Sequence, residues 1–304
     1  MTAPFDILIA CAGITAAIQL SGFSVAYYLQ TETFYDILGG INFLALGAYT
    51  YASGGDVDAS SPRKLANLVV FSCSRLWLLL FLAWRAHERG GDARFDEVKD
   101  KFGWFLVFWI VQGIWVFCIS MPTLLVLSSI ESESSFSTLD IISLSAFASA
   151  VIFEIVADVQ KAIWVKQGRP GNFCQVGVWK YSRHPNYFGE ILQWWSSWAF
   201  CYGSVSDLND TTSIVLWLLS SVSPLFTMHI LLNTPATGIM NANGKNLKRY
   251  YDACPVEYSR YRERTSILVP MVGYQHVPLV LKRTIFFDLK CYEYKPTRNH
   301  SKIQ

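Results

Sequence analysis

The chain has 304 residues, of which 52% are hydrophobic, 15% aromatic and only 16% charged, whereas an average soluble domain carries about 25% charged residues. That leaves too little charge to cover a water-soluble globule of this size, so an integral membrane protein is the economical reading. The 25 basic and 23 acidic residues leave a net charge of +2, which argues against a nucleic-acid binder, and the abundant aromatics exclude a disordered chain.

In chain order, seven segments approach the roughly 20 apolar residues needed to cross a hydrocarbon core of about 30 Å. They run from Ile7 to Leu29, Phe34 to Ala52, Leu65 to Trp84, Trp104 to Leu127, Leu139 to Ala157, Tyr187 to Tyr202 and Ser213 to Leu232. The expected fold class is an all-α integral membrane protein with about seven transmembrane helices and a cytosolic C-terminal segment. Six is the fallback, because the sixth segment is short and polar at its start. The first run follows Asp6 without a basic stretch and is too long for a signal-peptide core, so a retained span is expected. Residues around Thr31, Glu32 and Thr33 should join the first two spans in a tight helical hairpin. Beyond Asn233, Pro255 to Arg264 reads as a helix rich in Tyr and Arg. Val277 to Phe287, with apolar residues flanking Lys282 and Arg283, suits a helix on the membrane surface and equally a segment packed on the protein.

The loops give an independent test, since Lys and Arg accumulate on the cytoplasmic side. Arg85, Arg89, Arg94, Lys99 and Lys101 lie between the third and fourth spans, and Lys161, Lys166, Arg169, Lys180 and Arg183 between the fifth and sixth. Twelve more follow Leu232. The segments Ser128 to Thr138 and Gly203 to Thr212 contain no Lys or Arg, only Glu131, Glu133, Asp207 and Asp210. The alternation places the C-terminus in the cytosol and the N-terminus opposite. The seven cysteines, Cys11, Cys73, Cys118, Cys174, Cys201, Cys254 and Cys291, are scattered, so neither structural zinc nor a disulfide framework is expected. Glycosylation-type triplets begin at Asn209 and Asn299, and neither carries much weight.

Ionisable groups inside spans are costly and are functional candidates by default. Arg75 lies midway along the third span, where a structural pair or a snorkelling side chain is an equally good reading. Glu154, Asp158 and Lys161 share one helical face at the end of the fifth span, Glu190 begins the sixth and His229 ends the seventh. All but Arg75 lie near the cytosolic mouth. The densest polar group runs from Gly177 to Glu190. Within it, Arg183, His184, Asn186 and Tyr187 offer a fork donor, an imidazole, an amide and a phenol to an anionic ligand. Pro185 fits the first turn of the next helix, whose N-terminus adds positive potential. From residue types alone, an interfacial basic and aromatic belt explains the run nearly as well.

The run Arg183, His184, Pro185, Asn186, Tyr187, Phe188, Gly189, Glu190 resembles the signature of integral membrane reductases of the steroid 5-alpha-reductase and sterol C14-reductase group. Ala157 to Lys161 upstream, and Tyr258, Ser259, Arg260, Tyr261 and Arg262 with Pro270 downstream, resemble that group as well. The chain is most similar to its poorly characterised steroid-5-alpha-reductase-like branch, in which a loop like Gly91, Asp92, Ala93, Arg94, Phe95 also occurs. The resemblance covers Glu154 to Pro270. Isoprenylcysteine carboxyl methyltransferases carry a similar Arg-His-Pro segment.

The resemblance implies three parts: transmembrane helices on the lipid-substrate side over 1–138, a cofactor-binding region over 139–270, and a cytosolic or interfacial tail over 271–304. It implies an oxidoreductase of the endoplasmic reticulum that uses NADPH to reduce a carbon–carbon double bond in a steroid-like or other lipid, partnered by membrane lipids, without nucleic acid or metal. Asp158, Lys161, Arg183, His184, Asn186, Tyr187 and Glu190 would surround the cofactor, and Tyr258, Tyr261, Arg262 and Arg264 would close over it. Catalytic roles would fall to Tyr187, His184 and Glu190. The family's N-terminal glutamate and tyrosine, which polarise the substrate carbonyl, have no counterpart here, although Tyr27, Tyr28, Tyr49 and Tyr51 are available. The alternative is an S-adenosylmethionine-dependent membrane methyltransferase. The number of basic residues around the run favours the phosphate-rich dinucleotide.

Overall fold

The computed structural model describes residues 4–53, 61–89, 92, 94–129, 136–204, 211–234, 238–239 and 247–292. Asn209 and Asn299 of the glycosylation-type triplets lie outside these residues, as do Glu131, Glu133, Asp207 and Asp210. Among the described residues the structure is all-α, with no strand beyond a single bridge between Ser182 and Ser266. The long helices are α1 (Pro4–Leu29), α2 (Tyr35–Ser53), α3 (Pro62–Arg89), α4 (Phe102–Ser128) and α5 (Thr138–Lys166). They are followed by α6 (Pro185–Tyr202), α7 (Thr211–Ser220), α8 (Val222–Asn233), α9 (Leu247–Ala253), α10 (Pro255–Arg264) and α11 (Leu279–Thr284).

Five stretches are long and apolar enough to cross a membrane: Phe5–Leu29, Pro62–Glu88, Phe102–Ser128, Thr138–Lys166 and Thr211–Asn233. These fit a multi-pass membrane protein. The expected second and sixth spans do form helices, α2 of 19 and α6 of 18 residues, but Asn42, Glu190 and Gln193 interrupt their apolar runs, so neither is apolar enough to join the five. The expected seventh span, Ser213 to Leu232, lies within Thr211–Asn233 and is interrupted at Ser221. The Ser221 N–H bonds back to Leu218 in a tightened turn, and Pro224 has no N–H to offer the Ser220 carbonyl, so a new helix starts instead. The α1–α2 hairpin closes as the sequence predicts, over Gln30 to Phe34.

The chain divides into two compact units, Met1–Ala148 with Gln193–Phe226 and Ser149–Leu192 with Thr227–Gln304. In the first unit α4 is the inner helix. Of its most apolar stretch 61% is buried, against 22% in α3, so α3 turns most of its apolar surface outward, as a lipid-facing helix does. α1 lies close along α4 because small residues mark the crossing: Gly22 faces the Trp109 ring and Gly113 faces Thr15 and Gln19. The interior of this unit is partly polar. Gln19 donates to Asn42 at 3.1 Å and Asn42 to Thr15 at 3.3 Å, each meeting a demand that lipid cannot meet. Arg75 does not snorkel. It is 1% exposed, donates to Ser74 at 2.7 Å and Gln193 at 3.4 Å, and lies over the Phe43 and Trp194 rings.

Both ends of this unit are tied by charge. At one end, Lys99 meets Glu32 and Arg94 meets Asp36, joining the α1–α2 turn to the segment after α3. At the other, Arg63 in the first turn of α3 pairs with Asp140 in the first turn of α5 at 2.9 Å and lies over the Phe200 ring near the end of α6. α3 therefore runs from the Arg63–Asp140 end to the Arg94–Asp36 end, antiparallel to α2. Arg63 and Lys64, the two cations whose place in the chain departs from the charge alternation, are both buried.

Candidate functional site

The second unit holds the polar run read from the sequence. The loop Gly177–His184 is anchored first by α5: the Gln160 amide oxygen accepts the Val178 N–H at 2.9 Å, and the Ala157 carbonyl accepts the Trp179 indole N–H at 2.9 Å. Gly177 takes a left-handed φ of 51°, at a point where a Cβ would overlap the Gln160 amide. Two constraints thus require glycine there. The Lys161 ammonium lies 4.1 Å from the centre of the Trp179 ring, a favourable cation–π geometry.

The segment after α10 anchors the loop from the other side. Ser182, fully buried, donates to the Leu268 carbonyl at 2.7 Å and accepts the His184 N–H at 3.1 Å. The Arg183 N–H bonds to Ser266 O at 2.9 Å, and Thr265 and Ser266 hydroxyls donate to the Lys180 and Tyr181 carbonyls at 3.1 and 3.0 Å. The Tyr261 hydroxyl donates to Trp179 O at 2.6 Å. Backbone groups that a short irregular loop would leave unpaired are in this way satisfied by side chains.

From this frame the candidate residues take their places. His184 begins α6, with its carbonyl accepting the Phe188 N–H, and its ring stacks on Tyr187 at 5.5 Å. Its Nδ1 lies 3.0 Å from the Ile267 carbonyl. A carbonyl can only accept, so Nδ1 carries the proton and Nε2 the lone pair. The residue keeps some surface exposure, but its packed ring resists charge: burial, reinforced by Arg183 and Lys161, pushes its pKa down to about 3 against the pull of the Ile267 bond. His184 is therefore a neutral acceptor at Nε2. Asn186 donates to Asp158 at 3.3 Å, which brings the end of α5 to the start of α6. Glu154 and Glu190 are buried, and Gly189 lets α6 approach Glu154 and Ala150 closely.

Arg183 is the deepest charge in the group. Its side chain is 5% exposed, and Nη2 lies 3.1 Å from Asp288. Its Nε is buried with no acceptor among the described residues. Beside it, Phe173, Tyr250, Tyr251, Tyr258 and Tyr261 form an aromatic cluster with ring separations of 4.9 to 6.1 Å. Burial pushes Tyr258 up to about 12 against the opposing charge of Arg183 and Arg262, and it raises Tyr261 further. Both phenols stay protonated donors at neutral pH. Arg262 donates to the Tyr251 hydroxyl at 2.7 Å. Arg264, in the last turn of α10, is exposed and forms no ion pair among the described residues.

Asp288 and Tyr274 were not singled out by the sequence. The Tyr274 hydroxyl donates to the same Asp288 oxygen at 2.8 Å. Arg183 and Asp288 are 105 residues apart, a distance over which residue spacing carries no signal. The first unit has its own cavity of about 440 Å³, lined by Glu32, Tyr35, Asp36, His87, Asp92 and Phe95 among others. Arg94 pairs with two of these residues, Asp36 and Asp92. Burial opposes ionisation of Asp92, but the Arg94 bonds prevail and lower its pKa. Of the five-residue loop read from the sequence, Gly91 and Ala93 lie outside the described residues.

The model of one protein family, described as "Protein of unknown function (DUF1295)", matches residues 22–265. No curated protein and no solved structure matches the chain.

Proposed function

This chain belongs to the DUF1295 family, and we propose that it is a seven-span reductase of the steroid 5-alpha-reductase-like group, placed in the endoplasmic reticulum with its C-terminus in the cytosol. In this reading it uses NADPH to reduce a carbon–carbon double bond of a steroid-like or other lipid. The observation that carries the reading is the buried Arg183, which pairs with one carboxylate oxygen and whose Nε has no acceptor among the described residues. That is the chemistry of a phosphate pocket. Lys161 and Arg262 suit the same ligand as additional positive charge and the protonated Tyr258 as a phenol donor, while the Tyr261 proton is already given to the Trp179 carbonyl.

NADPH, when bound, supplies a hydride to one alkene carbon, and a proton must reach the other. The chain's own residues then divide the work. Arg183 and Lys161 hold negative charge, and Asn186 is fixed by Asp158. Tyr187 is the proton donor. His184, neutral with its lone pair on Nε2, accepts a hydrogen bond from the ligand or from a neighbouring phenol and does not serve as the acid. The methyltransferase alternative asks for one carboxylate contact in place of several phosphates. Thermal unfolding of the full chain in detergent separates the two. NADPH should stabilise the protein more than NADH or S-adenosylmethionine, and Arg183→Ala should remove that shift. A shift with S-adenosylmethionine alone would replace the reductase by the methyltransferase.

A further inference from the structure

The segment between Tyr274 and Tyr292 lies beyond the family match, which ends at residue 265. Its two end tyrosines are buried, at 1% and 2% exposure. Tyr292 donates to Asn233 Oδ1 at the end of α8 at 2.8 Å, and the Tyr274 ring packs on Phe286 at 5.5 Å. Between the two, from Gln275 to Cys291, no residue is buried. Leu279, Val280 and Ile285 are largely exposed. Little apolar burial holds this stretch down, so its opening is cheap compared with unfolding of the unit. What it does contribute is a charge. Asp288 Oδ2 receives both Arg183 Nη2 and the Tyr274 hydroxyl, Arg283 donates to the Asp288 backbone carbonyl, and the Asp288 N–H bonds to Lys282 O. The residue just before it, Phe287, takes a left-handed φ of 56°, a costly conformation for a bulky side chain. The chain thus bears strain at the one point that turns a carboxylate onto the buried arginine.

We propose that Asp288 is an internal stand-in for a ligand phosphate, and that Tyr274–Tyr292 is a latch which a phosphate-bearing ligand must displace from Arg183. A carboxylate oxygen and a phosphate oxygen make the same charge-assisted bond to a guanidinium. The Asp288 carboxylate on Nη2 repels a second anion at the same guanidinium, so carboxylate and ligand compete for Arg183, while Tyr274, anchored by its own burial, stays to donate to whichever anion is present. The latch makes the competent state a minority, which weakens apparent affinity by the fraction open. The identity of the ligand as NADPH rests on the reading above; the competition at Arg183 does not.

Two arms on the full-length protein test this. In the first, NADPH binding is measured for wild type, Asp288→Asn and Asp288→Glu. Removing the charge should tighten binding by up to about tenfold, if the latch is closed about nine-tenths of the time, and the glutamate should restore the weaker value. Where wild type binds NADPH, an Asp288→Asn protein that binds no tighter overturns the latch. In the second, hydrogen exchange of 279–290 is followed in unsubstituted protein as inorganic pyrophosphate is added. Exchange should rise, and Arg183→Gln should show the raised exchange without the anion. If no form binds NADPH, a rise with pyrophosphate keeps the latch and removes the reductase reading. Exchange that pyrophosphate leaves unchanged in that case removes the latch.

Discussion

The two units solve the same problem by opposite means. The first is built from long helices whose apolar faces look outward, and its few polar groups are gathered inside and paired with one another, as with Gln19, Asn42 and Thr15 or Arg75, Ser74 and Gln193. The second is built largely from short helices and loops tied by side chain to backbone bonds, and its buried arginine, Arg183, meets a part-buried carboxylate beside a cluster of tyrosines. Charge in the first unit closes a structure. In the second, on the reading proposed above, charge is kept where a ligand competes for it. Substitutions should therefore separate into those that cost stability alone and those that also change anion binding.

The steepest loss is expected at Arg63, whose buried pair with Asp140 leaves an uncompensated carboxylate when broken, a cost of about 3–5 kcal/mol. Arg63→Ala should lower the melting temperature sharply, while the added stabilisation by NADPH in the remaining folded protein stays unchanged. A matching fall in the NADPH increment would show that the units do not divide as described. Ser182→Ala should cost about 1–3 kcal/mol, since it strands the buried Leu268 carbonyl and frees the His184 N–H. Unlike Arg63→Ala, it should also weaken NADPH stabilisation, because Arg183 is the next residue.

A smaller effect is expected from acid. In the unfolded chain His184 titrates near 6.5, and in the folded protein only near 3. Between those values the unfolded chain binds the extra proton, so stability falls as pH drops below about 6.5. Melting curves between pH 7 and 5 should slope less in His184→Gln than in wild type; an unchanged slope would contradict the buried neutral imidazole. The least change belongs to Arg94→Ala. Its pairs with Asp36 and Asp92 are partly solvated, so chemical unfolding should register only about 0.2–1 kcal/mol.

Much of the first unit was legible in the sequence. The α1–α2 turn around Thr31 to Thr33, the apolar stretches of α1, α3, α4 and α5, and the alternation of loop charge all follow from local sums of hydropathy and charge. The break at Ser221 was missed because the apolar run continues through it, and only the absent Pro224 N–H reveals it. Pro255–Arg264 was read as a helix and is one. The segment Val277 to Phe287 had two equal readings, surface helix or packed segment; its Leu279, Val280 and Ile285 are exposed, and just beyond its ends Tyr274 donates to Asp288, which meets Arg183.

By itself the sequence determined a helical, membrane-type chain and pointed to the run from Arg183 to Glu190, because apolarity, helix starts and residue chemistry are properties of neighbouring positions. Tertiary structure alone decided what each of those groups faces. The Ile267 carbonyl fixes the proton of His184 across 83 residues, Asp140 neutralises Arg63 across 77, and Asp288 meets Arg183 across 105. Hydrogen bonds and charge pairs act over about 3 Å in space and take no account of separation along the chain, so no local pattern can specify them.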